Sequence, residues 1–282
     1  MMTNRTKKRI GKMGITISIL VLGFLFISPL LWMIIASVKP ETLIFKDMGF
    51  EAFIPKETTF DNYAKILFNE NINFFHYMGN SLFTVGMIVI LGTVVNSICA
   101  YALVKLKFPG SDLILIIIIA LYVVPFESVL IPLYIVVNKF GWINEFPALI
   151  IPFIASAFNI FLFRQFFMGF PKELEEAAQI DGASPWQTFV RIVVPNSKPV
   201  FATAAILTFV THWSDFMWPL IVATDQSIQT VQIGIQYLFT DNNIQYGQIM
   251  AALTLTTIPV ILIFIFFQRY YVQGITSSGV KG

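Results

Sequence analysis

From Gly14 to Ala36 the chain carries no charged residue. A backbone buried in hydrocarbon must satisfy its own hydrogen bonds, so such a run folds as a helix, and about 20 apolar residues suffice to cross the bilayer core. Five further runs repeat the pattern, at about 80–104, from Leu113 onward, and at about 148–163, 200–222 and 250–267. Charged residues make up 12% of the chain, where soluble domains carry about 25%. A soluble domain is therefore excluded, and the sequence predicts an all-α membrane protein with six transmembrane helices. The formal charge of +2 gives no argument for a nucleic-acid partner. Cys99 is the single cysteine, so no intrachain disulfide forms, and an apolar run around it assigns it to packing.

The charges orient the spans. Arg5, Lys7, Lys8, Arg9 and Lys12 precede the first run, which is too long for the core of a secretory signal and reads as an uncleaved first helix. If the N-terminus is cytoplasmic, Lys39, Lys46, Lys56, Lys65 and Lys139 fall outside and the rest of the 18 lysines and arginines fall inside. This excess follows the positive-inside rule and places both termini in the cytoplasm. The expected organisation is a basic head (1–13), a first span (14–36), an extracytoplasmic loop (37–74), a core (75–269) and a cytoplasmic tail (270–282). Lys107, Glu70, Asp241, Asn242 and Lys281 belong to the polar connections of this scheme. Pro29, Pro125, Pro132, Pro152, Pro219 and Pro259 sit in or beside spans and permit kinks.

One cytoplasmic connection is unlike a simple turn. Residues 171–199 read PKELEEAAQIDGASPWQTFVRIVVPNSKP. Lys172–Ile180 predicts a helix, with Leu174, Ala177 and Ala178 at helical spacing. Asp181 and Gly182 end it, since glycine takes a left-handed cap at little steric cost. Ser184, Pro185 and Gln187 predict a second helix opened by a capping box. Phe189, Ile192 and Val193 give it an apolar side, and Pro195 and Pro199 are expected to close it. The result is a helix–turn–helix bracket between spans four and five.

Glu176-Ala177-Ala178, the spaced Gly182, and Ile192-Val193-Val194-Pro195 resemble the EAA loop of the membrane subunits of binding-protein-dependent ABC importers, with Val194 where leucine is usual. Thr59-Phe60-Asp61-Asn62-Tyr63 is similar to the F-x-N-Y signature of sugar-type permeases. Residues 213–220 are similar to that family's W-N-E-F-x-x-P-L stretch, with Ser214 and Asp215 replacing Asn and Glu. The end of the chain, from Phe267 to Thr276 and then Gly279 to Gly282, resembles the maltose-type second permease subunit. The resemblance implies the type I importer permease fold in a bacterial or archaeal cell membrane. It implies a sister permease subunit, a cytoplasmic ATPase dimer, an extracytoplasmic solute-binding protein and a carbohydrate substrate. Glu176, Ala177, Ala178, Gly182, Ile192 and Pro195 would couple to the ATPase, and the tail would insert along the ATPase dimer interface.

Within the spans, Glu127 and Asp215 are candidate substrate contacts, because charge is costly there. Asp215 lies between Trp213 and Trp218, and a carboxylate beside indole rings suits a sugar: the acid accepts hydroxyl hydrogen bonds and the ring packs on C–H groups. Belt positions near the outer interface explain the same residues equally. His212, Ser214 and Asp215 lie on one helix and do not face one another as a triad must. His76 reads as a loop histidine. No metal-spaced His/Cys set and no G-x-x-x-x-G-K-[ST] occur, so neither metal nor ATP nor any other cofactor is expected on this chain, and the chain itself is not expected to be an enzyme. Alternatives to a sugar importer are an importer of a glycerophosphate-type polyol, which the lack of a basic pair in the spans disfavours, and a secondary transporter, which would not need the bracket.

Overall fold

The computed structural model describes residues 4–47, 49–68, 73–106, 108–240 and 243–279, with side chains described from 12 to 268. Glu70, Lys107, Asp241, Asn242 and the last three residues, Lys281 among them, lie outside the described residues. The side chains of Arg5, Lys7, Lys8, Arg9 and most of the tail lie outside them too. No β-strand occurs among the described residues. The chain forms two compact units, residues 1–74 with 235–258 and residues 75–234 with 259–282.

In the first unit, α1 (Asn4–Ser37) runs through the basic head and the first apolar run without interruption. Pro29 lies inside it, its missing donor tolerated within a long helix. The loop that follows is held in shape. Lys39 is buried and its Nζ donates to Asp47 Oδ2 (2.9 Å) and to the Ala52 carbonyl (3.0 Å). That lysine lowers the pKa of the Asp47 carboxyl below its ordinary value. Helix α2 (Asp61–Leu67) carries Asp61, Asn62 and Tyr63 of the F-x-N-Y stretch, with Phe60 at its N-cap. Asn62 donates to the carbonyls of Ser37 and Lys39, both at 2.9 Å, and so satisfies the frayed end of α1. Tyr63 pairs its hydroxyl with that of Ser37 (2.7 Å). The first turn of the last helix is held in the same way: Glu41 accepts from the amides of Tyr246 (2.9 Å) and Gly247 (2.7 Å).

The second unit begins with α3 (Phe74–Lys105). Helices α4 (Ser111–Tyr122) and α5 (Phe126–Lys139) meet at 104°, with Pro125 in the N-cap position of α5. The turn after α5 uses positive φ at Gly141 and Asn144, as glycine and asparagine allow. Helix α6 (Phe146–Ile150) passes through a 3-10 turn into α7 (Ala157–Met168). The carbonyl freed at this join is met by Asn96, which donates to Ile154 O (3.0 Å) and accepts from Ser156 N (2.9 Å). Gly92 lets α3 approach this carbonyl closely, since a Cβ there would stand 3.2 Å from Ile154 O.

The bracket follows as α8 (Lys172–Ile180), α9 (Pro185–Thr188), a π turn (Phe189–Val193) and α10 (Val194–Asn196). Then come α11 (Lys198–Trp213), α12 (Met217–Val222), α13 (Val231–Thr240) and α14 (Tyr246–Gly279). The fifth apolar run is thus broken at Ser214–Phe216, short of Val222. Among the described residues, four helical segments are long and apolar enough to cross a membrane: Lys12–Ser37, Phe74–Lys105, Phe146–Met168 and Tyr246–Gln268. Up to six do so if α4 with α5, and residues 185–196 with α11, each count as one bent span.

Candidate functional site

The bracket is built as its sequence predicts at both helix ends nearest the turn. Gly182 has φ +77°. Ala183 N donates to Ala178 O (2.9 Å) and Gly182 N to Gln179 O (3.0 Å), the paired bonds of a Schellman cap. Ser184 accepts from Gln187 N (3.3 Å) while Ser184 N donates to Gln187 Oε1 (2.8 Å), completing the capping box.

The bracket seats on the spans through one face of α8. The seated face of α8 is Glu175 and Ala178, whereas Leu174 and Ala177 are exposed. Positions three apart share a helix face, and an ion pair sets which face is buried. Glu175 Oε2 accepts from Lys105 Nζ at 2.7 Å, with both side chains largely covered. The second helix ends at Asn196, between Pro195 and Pro199, and the chain breaks at Ser197; Pro195 itself is carried one residue inside the end by a π turn that widens the helix before it. Pro199 then lies in the first turn of α11.

Behind this face is a hydrophobic core. Phe189 and Val193 from the bracket pack with Tyr101, Phe163, Phe167, Phe170 and Val200, and Ile192 borders the same cluster. The Tyr101 and Phe189 rings lie 4.8 Å apart. The opposite surface is open. Glu176, Ala177 and Gly182 are exposed, Ile180 is 86% exposed and Trp186 59%. Adjacent glutamates thus do different things: Glu175 anchors the bracket and Glu176 faces away from it.

Of the four predicted pathway residues, three gather and one stands apart. Trp218 is wholly enclosed, and its Nε1 donates to Ala148 O (2.9 Å). Trp213 is buried and stacked on Phe209 at 5.1 Å. Asp215 is half-buried in the break between α11 and α12, where Oδ1 accepts from Trp218 N at 3.4 Å. Trp213, Asp215 and Trp218 border a cavity of about 20 Å³ together with Thr84 and Thr230, whose buried hydroxyls have no partner among the described residues. Such a space holds roughly one water molecule. Glu127 is exposed in the first turn of α5 and does not join this group.

A larger opening went unnoticed in the sequence. A groove of about 420 Å³ is lined by Tyr122, Ser156, Phe158, Asn159, Thr208 and Thr211, with Leu207 and His212. Asn159 Nδ2 donates to Thr208 Oγ1 (2.8 Å), and its Oδ1 has no partner among the described residues. The lining of the groove comes from three helices and forms no local pattern in the sequence.

Residues 88–277 match the family described as binding-protein-dependent transport system inner membrane component. The arabinooligosaccharides transport system permease protein AraQ of Halalkalibacterium halodurans is 34% identical over 95% of this chain and 96% of its own length. The trehalose/maltose transport system permease protein MalG of Thermococcus litoralis is 30% identical over 94% and 95%. The sn-glycerol-3-phosphate transport system permease protein UgpE of Salmonella typhi is 32% identical over 95% and 98%. A chain in the crystal structure of a bacterial ABC transporter that imports the acidic polysaccharide alginate has the same fold, with a TM-score of 0.83 over 96% of this chain and 99% of that one at 20% identity.

Proposed function

Because the chain belongs to the family of binding-protein-dependent transport system inner membrane components, we propose that it is the membrane-spanning subunit of an ATP-driven importer for a neutral sugar or oligosaccharide. The observation that carries this is the bracket: one face anchored by Glu175, Ala178, Phe189 and Val193, the other exposed. An anchored helix with a free face of small and apolar residues suits docking into a cleft on another protein. In this reading, a separate ATPase dimer receives Glu176, Ala177 and Gly182 at the free face. Ala178 permits close seating on the spans, and Ile192 and Pro195 carry the motion into α11. A sister permease subunit completes the pathway, and an extracytoplasmic binding protein delivers the sugar. ATP and the loaded binding protein each favour the outward-facing state, so transport is a population shift. Asp215 and Glu127 offer carboxylates to sugar hydroxyls in the outer half of the path, and Trp213 and Trp218 shape the wall behind Asp215. Both termini are cytoplasmic, and the tail from 270 reaches the ATPase.

The UgpE relative favours a second reading, import of a glycerophosphate-type polyol. Against it, no Lys or Arg lines the groove in this subunit, and a phosphate needs a cation.

The test is co-purification from native membranes with and without Gly182→Asp. A Cβ at Gly182 meets no atom within 4 Å, and aspartate tolerates the positive φ better than most residues, so the variant adds a charge at the docking face at a torsional cost of about 1–2 kcal/mol or less. Wild type is expected to bring down an ATPase and a second permease, and the variant to lose the ATPase alone. Wild type without an ATPase would end the importer reading.

A further inference from the structure

The loop after α1 is closed at its neck, where Thr59 N donates to Val38 O at 2.7 Å. Inside the neck, buried Lys39 ties Asp47 to the Ala52 carbonyl. Surface loops are ordinarily the mobile parts of a fold, and a plain linker needs none of these bonds.

The same loop grips a second helix. Glu41 stands 205 residues before Tyr246, yet its Oε1 accepts from Tyr246 N (2.9 Å) and its Oε2 from Gly247 N (2.7 Å). These are the first two amides of α14. They have no partner within their own helix, and the positive end of the helix dipole favours an anion there. Each carboxylate oxygen takes one amide, so both oxygens are in use. Phe45 lies between Trp32 of α1 (6.4 Å) and Tyr246 of α14 (4.9 Å, edge to face). Asn62, which caps α1, also lies against Gly247, where a Cβ would stand 2.6 Å from it. Contacts of three kinds, carboxylate to amide, ring to ring and side chain to glycine, thus join the end of α1 to the start of α14 through one loop. All of them lie within a single compact unit.

We propose that this loop is a brace, in which Glu41 and Asn62 are positioning residues that make the end of the first span and the start of the last span move as one block during the transport cycle. The assignment gives the F-x-N-Y stretch a task. Asn62 and Tyr63 spend their polar atoms inward on the end of α1, while Phe60 is left 74% exposed. A rigid-body movement requires that its parts stay joined while the surrounding contacts change. The inference rests on the importer reading above, because an alternating-access cycle is what sets the spans in motion.

The test uses the assembled complex in lipid nanodiscs. In a Cys99→Ala background, Lys65→Cys on α2 and Ile258→Cys on α14 each place a spin label at an exposed position. With the brace intact, the distance between the labels, read by pulsed electron paramagnetic resonance, is expected to differ by no more than about 2 Å between the nucleotide-free and the ATP–vanadate-trapped complex. Glu41→Gln keeps the shape of the side chain but replaces one acceptor with a donor that faces an amide. In that variant the distances are expected to broaden and to differ between the two states, while the sister subunit and ATPase co-purify in wild-type yield. ATP-dependent uptake of radiolabelled arabinotriose or maltotriose is expected to fall about tenfold, in keeping with the loss of one charge-assisted hydrogen bond. Label distances in Glu41→Gln that match wild type in both states would overturn the brace. So would a wild-type distance that itself shifts by about 5 Å or more, one helical turn, on trapping. A wild-type complex that contains no ATPase would instead end the importer reading on which the brace rests.

Discussion

Gly182 and Gly247 both lie at helix ends, yet they are glycine for different reasons. Gly182 has φ +77° and open space where a Cβ would stand. Gly247 has an ordinary φ, but a Cβ there would lie 2.6 Å from Asn62, the residue that ties off α1. Gly182→Ala should therefore cost only the torsional penalty of a left-handed alanine, about 1–2 kcal/mol. Gly182→Asn should cost less, because asparagine tolerates that region. Gly247→Ala displaces Asn62 and its two hydrogen bonds, so its cost should reach about 2–3 kcal/mol. Thermal unfolding of the purified complex checks the order: Gly182→Asn mildest, Gly247→Ala most severe. A Gly247→Ala midpoint equal to wild type would show that Asn62 is not needed to hold the end of α1. At this scale the sequence was only partly legible. Gly182 could be read because its role is local. Gly247, Asn62 and Glu41 could not, because their partners are far away in sequence.

Among elements, the bracket shows where periodicity stops being informative. Helix limits and caps are set by neighbours in sequence, so Lys172–Ile180 and the Ser184 capping box were readable. The buried face of α8 was not. Periodicity marked a helix without saying which side seats, and a single ion pair to the end of α3 turns Glu175 inward. The π turn before Pro195 was hidden, since it leaves no signature in residue type. The ion pair joins the bracket to the second span directly. Its side chains are 16% and 10% exposed, so removing one partner leaves a charge poorly solvated. Lys105→Met alone should lower transport more than Lys105→Met combined with Glu175→Gln. A double-mutant cycle on ATP-dependent uptake should give a coupling of about 1–3 kcal/mol. Additive losses would mean that the two side chains act independently and that the bracket is held by Phe189 and Val193 alone.

For the whole molecule, charge and hydropathy carried most of the fold. Apolar runs located the spans because hydrocarbon leaves a backbone few choices. The 104° bend between α4 and α5 falls at Pro125, one of the prolines that permit kinks, whereas the break at Ser214–Phe216 leaves no mark in the apolar run. The groove lined by α4, α7 and α11 was hidden because its polar residues come from three helices and form no local pattern. The proposed orientation rests on the lysine and arginine distribution, and the docking face of the bracket is useful only if that orientation is correct. The single native cysteine makes this directly testable. In a Cys99→Ala background, Phe50→Cys and Ile180→Cys each introduce one thiol at a position at least 80% exposed. A membrane-impermeant maleimide applied to intact cells should label Phe50→Cys and leave Ile180→Cys unlabelled until the membrane is permeabilised. The reverse pattern would invert every loop, place the bracket outside the cell, and remove the nucleotide supply that its coupling role requires.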